Sequence, residues 1–475
     1  MNEKIIENFL SLCAIPHKSH HEEKISRFLC DWAVKKGLAA VRDEEGNVII
    51  DKAGSAGHEN APRTILQAHM DMVVVWEDGM DFDPLNDTIT VINDGKTLKA
   101  KGTSLGGDDG AGVALAMSIL EDETAVHGPI RAIFTVDEET GMYGAEGLDV
   151  SVLKGRRMLN MDSEDEGIFT VSCAGGARAD CCLPVTRSAF SAPVLEISVT
   201  GLVGGHSGAE IDKGRANATI TLGRVLQALV DELEVRLVSA EGGLKDNAIP
   251  NAARAVIALE EGKLPRAQEI CAELQDTFRR EYAAADPDVT VTFTPGTVAS
   301  QALTLRDTKK VCCFLGLYPN GIESMSMDIP GLVQTSCNLG IFKVNGSGLE
   351  GSGSVRSSIA SRKQLLLRRI GLLAEGLDGT LCVSGEYPAW EYRRESHLRD
   401  VMCKVYKDQY GQDMKVEAIH AGLECGLFCG KIPGLDAVSF GPNLYDIHTT
   451  SERMSISSVQ RVYAYLCAVL QALKD

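Results

Sequence analysis

The sequence predicts an α/β catalytic domain with a mixed sheet flanked by helices, interrupted by an inserted α+β lid domain. Three observations lead there. Between about residues 40 and 185, short β-rich runs alternate with helical ones, the pattern of a sheet covered by helices on both faces. From about residue 187, strands and helices segregate into separate runs. From residue 388 the alternating style returns. The expected divisions are 1–186, 187–387 and 388–475, the first and last forming one domain. A chain of 475 residues also exceeds what a single core usually holds.

The elements follow in order. "MNEKIIENFLSLCAIPHKSHHEEKISRFLCDWAVKKG" reads as amphipathic helix, because Glu3, Lys4, Glu7 and Asn8 interrupt the apolar residues and no unbroken signal-peptide core follows a basic start. Within it, "HKSHH" is expected to be a surface loop between helices, exposing His17, His20 and His21. "RTILQAHMDMVVV" (63–75), "TLKAKG" (97–102), "IRAIFTVDEE" (130–139) and "RRMLNMDSED" (156–165) read as strands. "GAGVALAMSILEDE" (110–123) carries Ala111, Ala114, Leu115, Ser118 and Ile119 at helical spacing. In the insertion, "APVLEISVTGLVGGHSG" is strand then glycine loop, and "GRANATITLGRVLQALVDEL" is a long helix. "AARAVIALEE", the helix "RAQEICAELQDTFRREYAAA", the strand "VTVTF" and further strands follow, up to "GTLCVSGEYPAW". "HLRDVMCKVYKDQYG" and "SSVQRVYAYLCAVLQALKD" are the closing helices.

Bulk properties exclude several function classes. A net charge of −19 disfavours nucleic acid or an anionic membrane surface as partner. No apolar run approaches the length of a membrane span. Fourteen cysteines without an export signal suggest free thiols in a reducing cytoplasm. Cys181–Cys182 and Cys312–Cys313 are adjacent pairs and no Cys-x-x-Cys occurs, which argues against a structural zinc knuckle and for core filling.

The chemistry is carried by polar residues where strands end. His69 and Asp71 in "LQAHMDMVVV" lie on alternate positions, which face one way on a strand. "SLGGDDGAG" places Asp108 and Asp109 in a glycine-rich turn opening a helix. "TVDEETGMYGAEGL" ends a strand in Asp137, Glu138 and Glu139, and "LNMDSEDEG" ends another at Asp162. "YDIHTTSE" places His448 after a Gly-Pro turn, and "GGHSG" sets His206 between glycines in the insertion. His69, Asp108, Glu139, Asp162 and His448 supply nitrogen and oxygen donors without sulfur, a set suited to Zn²⁺, Mn²⁺ or Co²⁺ in an open hydrolytic site. Two imidazoles and three carboxylates can hold two divalent ions about 3.5–4 Å apart with one carboxylate between them. Glu138, next to a ligand, is placed to take a proton from water and pass it to a leaving amine.

The series His-x-Asp, Gly-Gly-Asp-Asp-Gly, Glu-Glu-x-Gly, Asn-x-Asp-Ser-Glu, Gly-Gly-His-Ser-Gly, Asn-Ala-Ile-Pro and a late His resembles the two-zinc metallopeptidases that include carboxypeptidase G2, aminoacylases and cytosolic dipeptidases. The resemblance covers essentially the whole chain, strongest in "NMDSEDEGIFTVSCAGG", "GLVGGHSGAEIDKGRANA", "NAIPNAA", "GSVRSS" and "HAGLECGLF". It implies one metal on His69 and Asp162, the other on Glu139 and His448, and Asp108 between them. The family has Asn where this chain has Asp109, so Asp109 is the alternative bridge. Asp71 would hydrogen-bond His69 and fix its tautomer. His206 would help stabilise the oxyanion, and Asn247 would line the substrate. Arg356 would grip the peptide's terminal carboxylate bidentately, with a surface arginine as the rival reading. Glu424 would lie near the substrate's amino end or behind the ligands.

His58, His127 and His397 are expected to be exposed, and His420 is a candidate neighbour of the site. The function implied is cytoplasmic, metal-dependent hydrolysis of dipeptides, Xaa-His among them, with Zn²⁺ ahead of Mn²⁺ or Co²⁺. Closure of the lid would bring His206 and Arg356 to the substrate. A homodimer through the lid would fit relatives; the alternative is that the large lid supplies all substrate contacts within one chain. The rival readings are hydrolysis of N-acyl or N-carbamoyl amino acids, and a non-catalytic metal-binding scaffold.

Overall fold

The computed structural model describes residues 2–346 and 348–474, to which all counts below refer. The chain forms two compact units. The first runs up to Cys173 and adds Tyr392–Ala418 and the segment from Leu423 onward; the second is Ala174–Glu391 with Ile419–Gly422. The insertion therefore opens at Ala174 rather than at 187. The reason is the strand Gly175–Leu183, which pairs antiparallel with Leu349–Ser357 on one side and Thr380–Tyr387 on the other.

The first unit is built on an eight-stranded mixed sheet, in the order Ala39–Arg42, Val48–Lys52, Ile130–Thr135, Thr64–His69, Arg157–Asn160, Asp436–Ser439, Ile168–Cys173 and Lys415–Ile419. The central strand Thr64–His69 is parallel to both neighbours, and all six of its residues are buried. Strands covered on both faces read as continuous apolar runs, which explains "TIL" and "IRAIF". Burying an Ile or Leu side chain here contributes roughly 1.5–3 kcal/mol. The helix Gly107–Glu121 is buried along nearly its whole circumference, as a helix without a polar face must be. The predicted strand at 63–75 stops at His69, so Asp71 lies beyond its end.

The second unit is an antiparallel sheet with helices Ala218–Glu232, Leu264–Glu281, Leu305–Leu317 and Ala360–Gly376. Asn217 caps the first of these, accepting the amides of Thr219 and Ile220. Its core joins Leu195, Ile197, Leu222, Leu226, Phe278, Phe314 and Ile370. Among the described residues no helix is long and apolar enough to cross a membrane.

Candidate metal centre

Each expected ligand of the first unit stands where a strand or loop ends. His69 closes the central strand, Asp162 follows Arg157–Asn160, and Glu139 follows Ile130–Thr135. Asp108 opens the helix Gly107–Glu121 with non-helical backbone angles, and the Asp108–Asp109 peptide is cis. Just before it, Gly106 is left-handed (φ 73°), and a Cβ there would come within 2.8 Å of Met72 Sδ. The carboxylate of Glu452 gathers the amides of Leu105, Gly106 and Gly107 at 2.7, 3.1 and 2.7 Å, pinning this loop.

The five side chains converge. His69 Nε2 is 3.1 Å from Asp108 Oδ1 and 3.6 Å from Asp162 Oδ1. His448 Nε2 is 3.2 Å from Asp108 Oδ2 and 2.7 Å from Glu139 Oε1. The donors form two groups, His69–Asp108–Asp162 and Asp108–Glu139–His448, each with its atoms within 4.8 Å of one another. Asp108 belongs to both, one oxygen to each imidazole. Hydrogen bonds to Asp108 and Glu139 push the His448 pKa up to about 10. Burial opposes charge on His69, but Asp162 and Asp108 outweigh it and raise its pKa well above the usual value. So much negative charge around two imidazoles calls for cations, and the nitrogen and oxygen donors fit a pair of divalent metal ions.

Asp109 has a different environment. It is buried, its Oδ2 accepting the His69 amide at 3.3 Å and its Oδ1 the Gly112 amide at 3.0 Å. It packs over Gly112, where a Cβ would lie 2.4 Å from Oδ1. Of the two adjacent aspartates, Asp108 is the one whose oxygens face both imidazoles.

Asp71 is buried behind His69. His69 Nδ1 lies 3.1 Å from the Asp71 carbonyl oxygen and 3.4 Å from its Oδ1. The Asp71 carboxylate accepts the amides of Glu138 (3.0 Å) and Glu139 (3.3 Å) and the Ser19 hydroxyl (2.8 Å). Burial works against its charge, yet His69 and these donors keep its pKa below the usual range. Glu138 moves the other way. Burial first, then Asp162, Glu424 and Glu139, raise its pKa well above the ordinary carboxylate value, with His69 opposing.

In the second unit, His206 lies on the short strand Gly205–His206, paired with Ala248–Ile249. Its Nδ1 accepts the amides of Gly208 (3.3 Å) and Ala209 (3.0 Å), which places the ring proton on Nε2. Burial and the Arg356 charge lower its pKa. Asn247, exposed, accepts the Ser207 amide on its carbonyl at 2.9 Å. Arg356 is only 8% exposed, which removes the surface-arginine reading. Its Nη1 donates to the Tyr387 hydroxyl at 2.9 Å, and its buried Nε has no partner.

Several expectations need correction. Glu424 does not reach a surface where substrate could touch it. It is 0% exposed, its Oε2 accepting Gln67 Nε2 at 2.6 Å and Thr135 Oγ1 at 2.7 Å across the sheet, and burial pushes its pKa up to about 8. The alternative place, behind the ligands, is where it lies. His17 and His127 are buried rather than exposed, their Nδ1 atoms donating to the carbonyls of Ile15 and Gly128. His20, His21 and His397 are exposed, and His58 is half-buried. Cys182 and Cys382 are exposed rather than core filler. Glu452 and Ser19 went unnoticed. Glu452 stands four residues after His448 in the quoted "YDIHTTSE", where an acid after a ligand was the available signal.

Residues 65–472 match the model of peptidase family M20/M25/M40, and the chain belongs to that family. Among particular relatives, it is 34% identical over 467 residues to the cytosol non-specific dipeptidase of Escherichia coli K12, covering 98% of this chain and 96% of that one. The crystal structure of aminoacylhistidine dipeptidase from Vibrio alginolyticus superposes with a TM-score of 0.94 at 35% identity, over 99% of this chain and 96% of that one. The aminopeptidase PepT of Bacillus cereus ATCC 10987 shares the fold at a TM-score of 0.58 and 15% identity, with 100% and 99% coverage.

Proposed function

We propose that this protein is a dinuclear metallo-dipeptidase that hydrolyses short peptides with free ends, Xaa-His among them, in the cytoplasm. The observation that carries the reading is Asp108, whose two oxygens face one imidazole each, at 3.1 and 3.2 Å. Zn²⁺ is the proposed metal, on His69, Asp162 and Asp108 at one position and Glu139, His448 and Asp108 at the other. When bound, such a pair polarises a carbonyl and lowers the pKa of water.

The chain's own groups then have defined tasks. Glu138, its pKa raised by burial, takes the proton of the attacking water and delivers it to the leaving nitrogen. Asp71 fixes the orientation of His69 and, through two amides, the turn that carries Glu138. His206 offers its Nε2 proton to the carbonyl oxygen as charge develops there. Arg356 takes the terminal carboxylate, for which its buried, unpartnered Nε is a ready donor. Asn247 contributes to substrate binding beside His206. A homodimer through the second unit completes the proposal.

The test is turnover of Ala-, Gly- and His-containing dipeptides, a tripeptide and an N-acetyl amino acid by metal-reconstituted wild type and Glu138→Ala. Dipeptides are expected to be cleaved by the wild type. The variant should retain its metals and lose at least about 100-fold in kcat, the usual scale of a missing proton-transfer group. Cleavage of the N-acetyl substrate alone would make the enzyme an aminoacylase, and no turnover with two metals bound would leave a scaffold.

A further inference from the structure

The segment "HKSHHEE" is neither a free surface loop nor part of the ligand set. Ser19 is 5% exposed and Glu22 is 6% exposed, so a hydroxyl and a carboxylate are both buried in this segment. Glu22 occupies the N-cap position of the helix Glu23–Lys35, but its side chain makes no capping bond to that helix. Its Oε1 instead accepts the amide of Asp137 at 3.1 Å and that of His20 at 3.0 Å.

Asp137 answers. Its Oδ1 accepts the His20 amide at 2.7 Å and lies 2.8 Å from His20 Nδ1. Both residues are left-handed, Asp137 at φ 54° and His20 at φ 67°, a conformation that costs a side-chain-bearing residue energy and persists where surrounding contacts hold it. Next to this pair, Ser19 donates to Asp71 Oδ2, and the Asp71 carboxylate accepts the amides of Glu138 and Glu139. Three consecutive amides, 137, 138 and 139, thus end on two buried carboxylates. Stability alone does not favour gathering the buried Glu22 and Asp71 with the half-buried Asp137 around one short turn, because like charges held out of water cost free energy.

We propose that Lys18–Glu22 is a positioning element for the turn Asp137–Glu139, with Glu22 holding the Asp137 amide directly and Ser19 acting through Asp71, so that Glu138 is held at its working orientation. The inference rests on the proposed role of Glu138 as proton carrier. Neither Glu22 nor Ser19 touches substrate. Their effect falls on kcat, because a proton carrier tolerates little misplacement.

The experiment compares wild type with Glu22→Ala, Glu22→Gln, Ser19→Ala and Ser19→Thr, all metal-loaded, on one dipeptide. Gln and Thr keep the acceptor and the hydroxyl. The expected result for each Ala variant is a kcat at least tenfold lower, with KM within about twofold and two metals per chain retained. Glu22→Gln and Ser19→Thr should recover most of the loss. Amide hydrogen exchange at Asp137–Glu139 gives a readout that needs no turnover: Glu22→Ala should exchange there at least tenfold faster than wild type while the strand Thr64–His69 keeps its protection. Wild-type kcat in both Ala variants would overturn the proposal, as would unchanged exchange at the turn. So would an equal loss in Gln and Ala that follows thermal stability or metal content. A wild type inactive on every peptide would sink the functional reading, while the exchange result would still decide the positioning role.

Discussion

Glu452 accepts the amide of Gly107 at 2.7 Å although 345 residues separate the two in sequence. The same carboxylate also holds Leu105 and Gly106, so one acid of the last segment sets the loop from which Asp108 projects. Removing it strands four amides, that of Asp108 included, beside a buried site. Glu452→Ala is expected to weaken metal binding by about 10–100-fold, the usual effect of losing a group that orients ligands. Glu452→Gln, which keeps one acceptor oxygen, should fall between. Competition with a chelator of known affinity reads the change, and wild-type affinity in Glu452→Ala would refute the role.

The neighbours Asp108 and Asp109 separate by substitution. Asp108→Asn removes the one carboxylate shared by both donor groups and should lower the metal content below two per chain. Asp109→Asn changes a residue bonded to the amides of His69 and Gly112, so two metals should remain and thermal stability should move instead. Elemental analysis of the purified variants distinguishes them; equal metal loss in both would return Asp109 to the ligand set.

A pH effect follows from His420. The residue is 8% exposed, with Nε2 2.7 Å from Ser336 Oγ, and burial first and Arg356 second lower its pKa from 6.5 to about 4. In the unfolded chain the imidazole takes a proton near pH 6.5, while in the folded one it does so only near pH 4. Unfolding therefore takes up a proton between these values, and stability falls as pH drops through that window and levels off below it. The full effect is on the order of 3 kcal/mol. His420→Gln, which cannot titrate, should show a shallower decline in urea unfolding between pH 7 and 4, measured with chelator present throughout. Parallel slopes for the two proteins would count against this account.

Much of the site was legible because its ligands end strands whose apolar runs are unmistakable. "RTIL" before His69 and "RAIFT" before the acids at 137–139 mark both the sheet and the point where polarity begins. Groups that act through backbone amides left no such mark. Ser19 and Glu22 are ordinary loop polar residues in sequence, Glu452 is marked only by following His448, and the folded chain alone shows which distant amides they receive. The motif around Glu424 left two places open for the related reason that a motif records what a position carries without recording how deep it lies. The boundary near 187 was missed because Gly175–Leu183 has the same strand character as the runs before it. Pairing partners at 349–357 and 380–387, which assign it to the second unit, lie far along the chain.

The strand Asp436–Ser439 sits inside the first unit's sheet, between Arg157–Asn160 and Ile168–Cys173, and is parallel to the former. During synthesis the sheet is thus left with a gap until some 260 further residues have been made and the closing segment returns to fill it. His448 and Glu452 arrive on that same segment. A chain that stops before this stretch accordingly has neither a closed sheet nor the second donor group, because the partner of Arg157–Asn160 and the imidazole of His448 are both still missing.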